Sequence, residues 1–289
     1  MPKLREAVQS GKFVVTAEIG PAKGVDVTEF LENAELLKGR VDAVNVTDQQ
    51  SAVMRLGSLA GCHLLKQKGV EPVFQMTCRD RNRIALQSDL LNAYVFGIEN
   101  VLCLTGDYVT LGDHPQAKPV FDLDSVSLLQ AARELEQGKD LAGKELKGTP
   151  KFFLGACVTP GADPVEPQLI KMEKKVKAGA QFFQTQAIYE PKKFEAFMQE
   201  AKKFGVQVLV GIVLIRSAAM ARFMNKNVAG IHVPDEIIDE MDQAEDRVRT
   251  SIEIAARLIN EMKDMCQGAH IMAIGLESRV PAVLDAAGL

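Results

Sequence analysis

The stretch KFFLGACVTPGADPVEPQLIKMEKKVKAGAQFFQTQ, residues 151–186, holds a complete strand–helix–strand unit. KFFLGACVT (151–159) is a short apolar run of the kind a buried strand needs. EPQLIKMEKKVKAG (166–179) is a longer amphipathic stretch, and QFFQTQ (181–186) is apolar again. Two short apolar runs joined by a helical crossover predict parallel neighbours in one sheet.

The same alternation extends in both directions. KFVVTAEI (12–19), DAVNVTD (42–48), EPVFQMT (71–77) and NVLCLTGD (100–107) come before the unit, and QVLVGIVL (207–214) and AHIMAIG (269–275) come after it. Between them, residues 30–39, 51–69 and 80–97 read as helices that stop at glycine. Residues 124–139 and 191–205 read as helices too, the latter with Pro191 in its first turn. After the seventh strand, 216–227 reads as an added helix and 234–264 as one long helix, and ESRVPAVLDAAGL (277–289) closes the chain. Eight strands and eight helices in strict order within 289 residues predict an α/β fold. The expected architecture is a single (β/α)8 TIM barrel, residues 1–289, with an extra helix between strands seven and eight. A doubly wound sheet would need a glycine-rich fingerprint after the first strand, and EIGPAKG (18–24) is not one.

Composition narrows the function. The chain has 34 basic and 38 acidic residues, a formal charge of −4, which argues against a nucleic-acid partner. The absence of Trp and the presence of only three Tyr argue against a base-stacking platform. Five widely spaced cysteines without a CxxC give neither a disulfide framework nor a metal or cluster motif, and the histidines share no ligand spacing. MPKLREAVQSGK has no signal-peptide core and no apolar run is long enough to span a membrane, so a cytoplasmic protein is expected.

In barrels the active site lies at the carboxyl ends of the strands. The polar residues there are Glu18, Thr47, Asp48, Gln75, Thr77, Asp107, Thr159, Gln186, Arg216 and Glu277. Glu18, flanked by Ala17 and Ile19, is either an ion-paired structural carboxylate or a general acid of raised pKa. Asp107 after Gly106 suits close approach of a ligand, or is a turn aspartate. Gln184 and Gln186 share strand parity, so the alternation turns both to one side. Lys175 stands among other lysines and by spacing belongs to a solvated helix face. The loop 108–121 is long for a strand–helix connection, and His114 within it is the histidine placed for function. No predicted strand end carries a Schiff-base lysine, which counts against an aldolase.

VVTAEIGP (14–21), VNVTD (44–48), FQMTCRDRN (74–82), LCLTGD (102–107), KKVKAGAQFFQTQAIY (174–189) and VGIVLI (210–215) together resemble the methylenetetrahydrofolate reductase family. The resemblance covers nearly the whole chain, and LTGD with AGAxxxxTQ is its most specific part. It implies a flavin-binding barrel that reduces 5,10-methylenetetrahydrofolate to 5-methyltetrahydrofolate. In that reading Glu18 is the general acid that protonates the departing N10. Asp107 lies near the flavin and the pterin and stabilises the cationic iminium. Thr47 and Gln186 contact substrate. Gln75, Thr105, Gly106, Asp107 and Lys175 face the cofactor, FAD or FMN, with Lys175 at its phosphates. Thr105 stands where the family usually has Arg, and Gln75 where it has His. Ala218 is nearest to a Phe that stacks on nicotinamide in NADH-using members. Electrons would come from NADH or from an iron–sulfur partner subunit, in an oligomer or hetero-complex. Alternatives are a non-catalytic folate- or flavin-binding subunit, or another barrel enzyme such as a pterin-dependent methyltransferase.

Overall fold

In the computed structural model, which describes residues 4–289, all eight strands close into one parallel barrel in sequence order. The strands are β1 (Val14–Ile19), β2 (Ala43–Val46), β3 (Pro72–Thr77), β4 (Asn100–Leu104), β5 (Phe153–Val158), β6 (Phe182–Ala187), β7 (Gln207–Val213) and β8 (Gly268–Met272). Closure is made where β8 pairs with β1, with Thr16 opposite His270 and Ala17 opposite Ile271.

Alternation along each strand sorts the interior into layers. At the amino-terminal end, Val14, Ala43, Val73, Leu102, Phe153, Phe182 and Leu209 form one apolar cluster. The helix Leu4–Gln9 plugs it with Leu4, Ala7 and Val8. Nothing in the sequence marked this plug, because six residues are too few to display a helical period. Two residues further along the strands comes a buried polar layer. Gln184 donates to Asn45 Oδ1 at 3.1 Å and to Thr16 Oγ1 at 3.1 Å, and Asn45 donates back to Gln184 Oε1 at 2.8 Å. Thr16 Oγ1 lies 2.9 Å from His270 Nδ1, and burial pushes the imidazole down to about 3, so it stays neutral. Two residues further still, Glu18 and Thr47 reach the mouth, and Gln75, two residues past Val73 on β3, meets Glu18 there. The polar layer is thus the floor beneath them, and its mutual hydrogen bonds offset the cost of burying four polar side chains.

The layering fixes glycines by contact. A Cβ on Gly155 would stand 2.2 Å from the Phe182 ring, which stacks on Phe153 at 4.8 Å between centroids. Gly155→Ala is therefore expected to lower the unfolding free energy by about 1–3 kcal/mol, through overpacking. A urea midpoint equal to wild type would show that the ring has room to move.

Two expected helices differ. The one expected over 51–69 starts only at Ser58, because Gln49, Ser51 and Ala52 take left-handed backbone angles and Arg55 N donates to Gln49 Oε1 at 2.7 Å. The single long helix expected over 234–264 is two, Asp235–Asp242 and Arg247–Met262. The break falls where the Asp246 side chain accepts from Val248 N and Arg249 N, which starts a new helix. With the expected helix Ala218–Asn227, three helices join β7 to β8. Among the described residues, no helix is long and apolar enough to cross a membrane.

Candidate active site

The β1, β2 and β8 loops enclose a cavity of about 870 Å³, with Glu18, Thr47, Arg55 and Glu277 in its lining. Glu18 is half-buried, and Gln75 Nε2 donates to its Oε1 at 2.7 Å. Loss of water pushes the carboxyl up to about 7; the Gln75 hydrogen bond opposes this and the charge of Glu277 adds to it. No cation pairs with it among the described residues, so the ion-paired structural alternative falls away. Thr47, just past β2, is buried and its Oγ1 has no hydrogen-bond partner. Gly20 leaves the space beside that hydroxyl open: a Cβ there would sit 3.7 Å from it.

The other residues named from sequence fall on different walls. Gln75 is buried in β3, with its amide N–H turned to Glu18. Gly106, at φ 99°, passes 3.1 Å from both the Thr77 and the Arg79 Cβ atoms, measured from where its own Cβ would be. Only glycine suits that turn. Thr105 Oγ1 accepts from Ser125 N at 3.2 Å, at the start of helix Ser125–Glu136. Asp107 is exposed, and its Oδ2 accepts from Ser51 N at 2.9 Å, which ties the β4 loop to the β2 loop. Gln186 is exposed at the end of β6, whereas Gln184 is buried in the polar floor. A bulge between Gln184 and Ala187 interrupts the alternation that would have given both one environment. Asp48 is not free for chemistry: it accepts from Thr77 N at 2.8 Å and pairs with Arg81.

Lys175 overturns the reading from spacing. It is buried, its Nζ donates to Cys157 O at 2.6 Å, and burial holds its pKa below the ordinary lysine value. An ammonium with three N–H groups and one hydrogen bond here has donors left for an anion. Helical spacing could not show this, because neighbouring Lys174 and Lys177 carry the same charge.

The sequence also concealed Arg79. Its side chain is 2% exposed; it donates to Asp107 O at 3.2 Å and Gln49 O at 3.2 Å, and pairs with Asp80 at 2.7 Å. It thereby fastens the β2 and β4 loops to the end of β3, beside a second crevice of about 360 Å³ that His114 also lines. The signal was a charged run, CRDR (78–81), directly after a buried strand. The cysteines are free thiols, and no group of three or more His, Cys, Asp or Glu could hold a metal among the described residues.

The residues present fit a flavin at one point: the Lys175 ammonium, with one of its three N–H groups engaged, has donors left for a phosphate.

The family described as methylenetetrahydrofolate reductase matches residues 3–288 of the chain. A probable methylenetetrahydrofolate reductase (NADPH) of Caenorhabditis elegans is 23% identical over 314 residues, 99% of this chain and 44% of its own length. Methylenetetrahydrofolate reductase 2 of Schizosaccharomyces pombe is 24% identical over 238 residues, 74% of this chain and 35% of that protein. The chain thus spans less than half the length of these curated relatives. An uncharacterised Clostridium thermocellum protein described as binding two copies of 5-methyl-5,6,7,8-tetrahydrofolic acid has the same fold. It superposes with a TM-score of 0.68 at 14% identity, covering 99% of this chain and 98% of its own. A 2,3-dimethylmalate lyase superposes with a TM-score of 0.56 at 13% identity, covering 99% and 87%.

Proposed function

Because the chain belongs to the methylenetetrahydrofolate reductase family, we propose that it reduces 5,10-methylenetetrahydrofolate to 5-methyltetrahydrofolate with a bound flavin, FAD or FMN. The observation that carries this reading is Glu18: a carboxyl without a cation partner, in the lining of a cavity, poised near neutrality at about 7. A group of that affinity is protonated enough to donate at neutral pH and weak enough a base to release its proton. Glu18 gives its proton to the departing N10 as the methylene bridge opens to the iminium. Gln75 donates to one oxygen of Glu18 and so fixes which oxygen carries the proton. The unpartnered Thr47 hydroxyl and the exposed Gln186 amide bind the pterin edge. Asp107 supplies negative charge at the mouth to favour the cationic iminium.

The flavin supplies the hydride when bound. Gln75, Thr105, Gly106, Asp107 and Lys175 would hold it, with the Lys175 ammonium at a phosphate. Its electrons come from NADH or from an iron–sulfur partner subunit in a cytoplasmic hetero-complex. The partner is favoured, because Ala218, buried at the start of helix Ala218–Asn227, offers no ring for nicotinamide.

Titration of the apoprotein with FAD and FMN tests the cofactor half of this reading. Lys175→Met is expected to weaken flavin binding about tenfold or more, the loss of one charge-assisted contact to phosphate, with the thermal midpoint kept or raised because a buried charge is removed. If neither flavin binds wild type, the cofactor assignment is wrong. If binding is unchanged in Lys175→Met, the lysine does not meet the phosphate.

A further inference from the structure

The β8 loop brings a further carboxyl to the same cavity. β8 pairs with β1, so the chain leaving β8 emerges beside the end of the strand that carries Glu18. Glu277 lies there, half-buried in the cavity lining. Its position is specified locally. Ile274 and Gly275 take left-handed angles of φ 47° and 83°, and Gly275 N donates to Glu277 Oε1 at 3.0 Å. A β-branched residue in that region is costly and persists only where its surroundings hold it. The strained turn therefore aims the carboxylate, and no salt bridge neutralises it among the described residues.

We propose that Glu277 is a positioning residue for Glu18: it holds a fixed negative charge across the mouth and so keeps the Glu18 carboxyl protonated until substrate arrives. This rests on the reading of Glu18 as the general acid.

The groups facing Glu18 from the other elements leave this task to Glu277. Thr47 of the β2 loop and Gln75 of β3 are neutral amide and hydroxyl groups. His270 beneath stays neutral, and burial pushes the Cys157 thiol of β5 up to about 11. Around the rim, Lys23 is paired with Asp113 and Arg55 donates to Pro21 O at 3.3 Å. Asp26 accepts from Thr28 at 2.7 Å, and Glu29 and Glu32 belong to helix Thr28–Leu37. On the β4 side, Asp107 is exposed and bonded to Ser51 N. Arg216 approaches the turn, its Nη1 3.4 Å from where a Gly275 Cβ would sit, and it is exposed. The like charge of Glu277 is the one that adds to burial in raising Glu18.

The test is a 13C NMR titration of the Glu18 carboxyl in the full chain, its resonance assigned by its loss in Glu18→Gln. Glu277→Gln is expected to move the Glu18 midpoint to lower pH, on the order of one pH unit for the loss of a single like charge in the same cavity. Glu277→Asp, which keeps the charge, should leave it close to wild type. The methylenetetrahydrofolate rate should follow, with its alkaline limb displaced the same way. A Glu18 midpoint that is the same in wild type and Glu277→Gln overturns the proposal. Failure of the folate reading has a different signature: no folate turnover in wild type, with the carboxyl titration still deciding the role of Glu277.

Discussion

Glu18→Gln is expected to lower the rate of methylenetetrahydrofolate reduction by about 10²–10⁴-fold, the usual contribution of a positioned general acid, while flavin binding stays as in wild type. The amide is nearly isosteric and can still meet Gln75, but it has no proton to give N10. Flavin retention matters, because no cofactor contact is assigned to this residue. The same variant has a second, independent signature. A carboxyl that titrates at about 7 when folded, against an ordinary 4.5, binds more protons folded than unfolded. Stability therefore falls as pH rises through that window and levels off above it. Glu18→Gln lacks this loss, so it should melt above wild type at pH 8, with the difference shrinking toward pH 5. A near-wild-type rate in Glu18→Gln would remove the general acid from the mechanism, whatever its melting curve.

The second large effect is a pair of opposite pH profiles. With Glu18 as the proposed general acid, reduction of the methylene group would require it protonated, so the rate should fall above about 7, approaching about tenfold per pH unit. In the same reading, oxidation of 5-methyltetrahydrofolate would require Glu18 ionised to take the proton back, so that rate should rise up to about 7 and then flatten. Pre-steady-state rates in the two directions check this. Parallel profiles would mean that another group, or a step other than proton transfer, sets the pH dependence.

The barrel was legible because its strands are short, apolar and regularly spaced by amphipathic stretches, and every one of them lies where the pattern put it. Boundaries slipped where tertiary contacts outrank local propensity. Ser51–Leu56 reads as helix, but backbone hydrogen bonds to the Gln49 and Asp107 side chains hold it as a loop. Strand position put Glu18 at the mouth and left its role open between ion pair and general acid, because its freedom from a cation partner depends on what the neighbouring strands deliver. Lys175 shows the opposite limit. Its charge pattern is that of a surface helix, yet it lies over Cys157, and only the packing of the helix on β5 decides that. Thr16, Asn45, Gln184 and His270 carried a signal that could have been read: each is polar at an inward position of an apolar strand, so each had to find the others.

Anaerobic mixing of the flavin-loaded protein with 5-methyltetrahydrofolate, while the flavin's visible band is followed, tests whether Glu18 serves folate chemistry on a bound flavin. The band is expected to bleach, and Glu18→Gln, equally loaded, to bleach slower by about two orders of magnitude or more. A wild-type protein that binds flavin and keeps its band unchanged with 5-methyltetrahydrofolate would contradict that assignment.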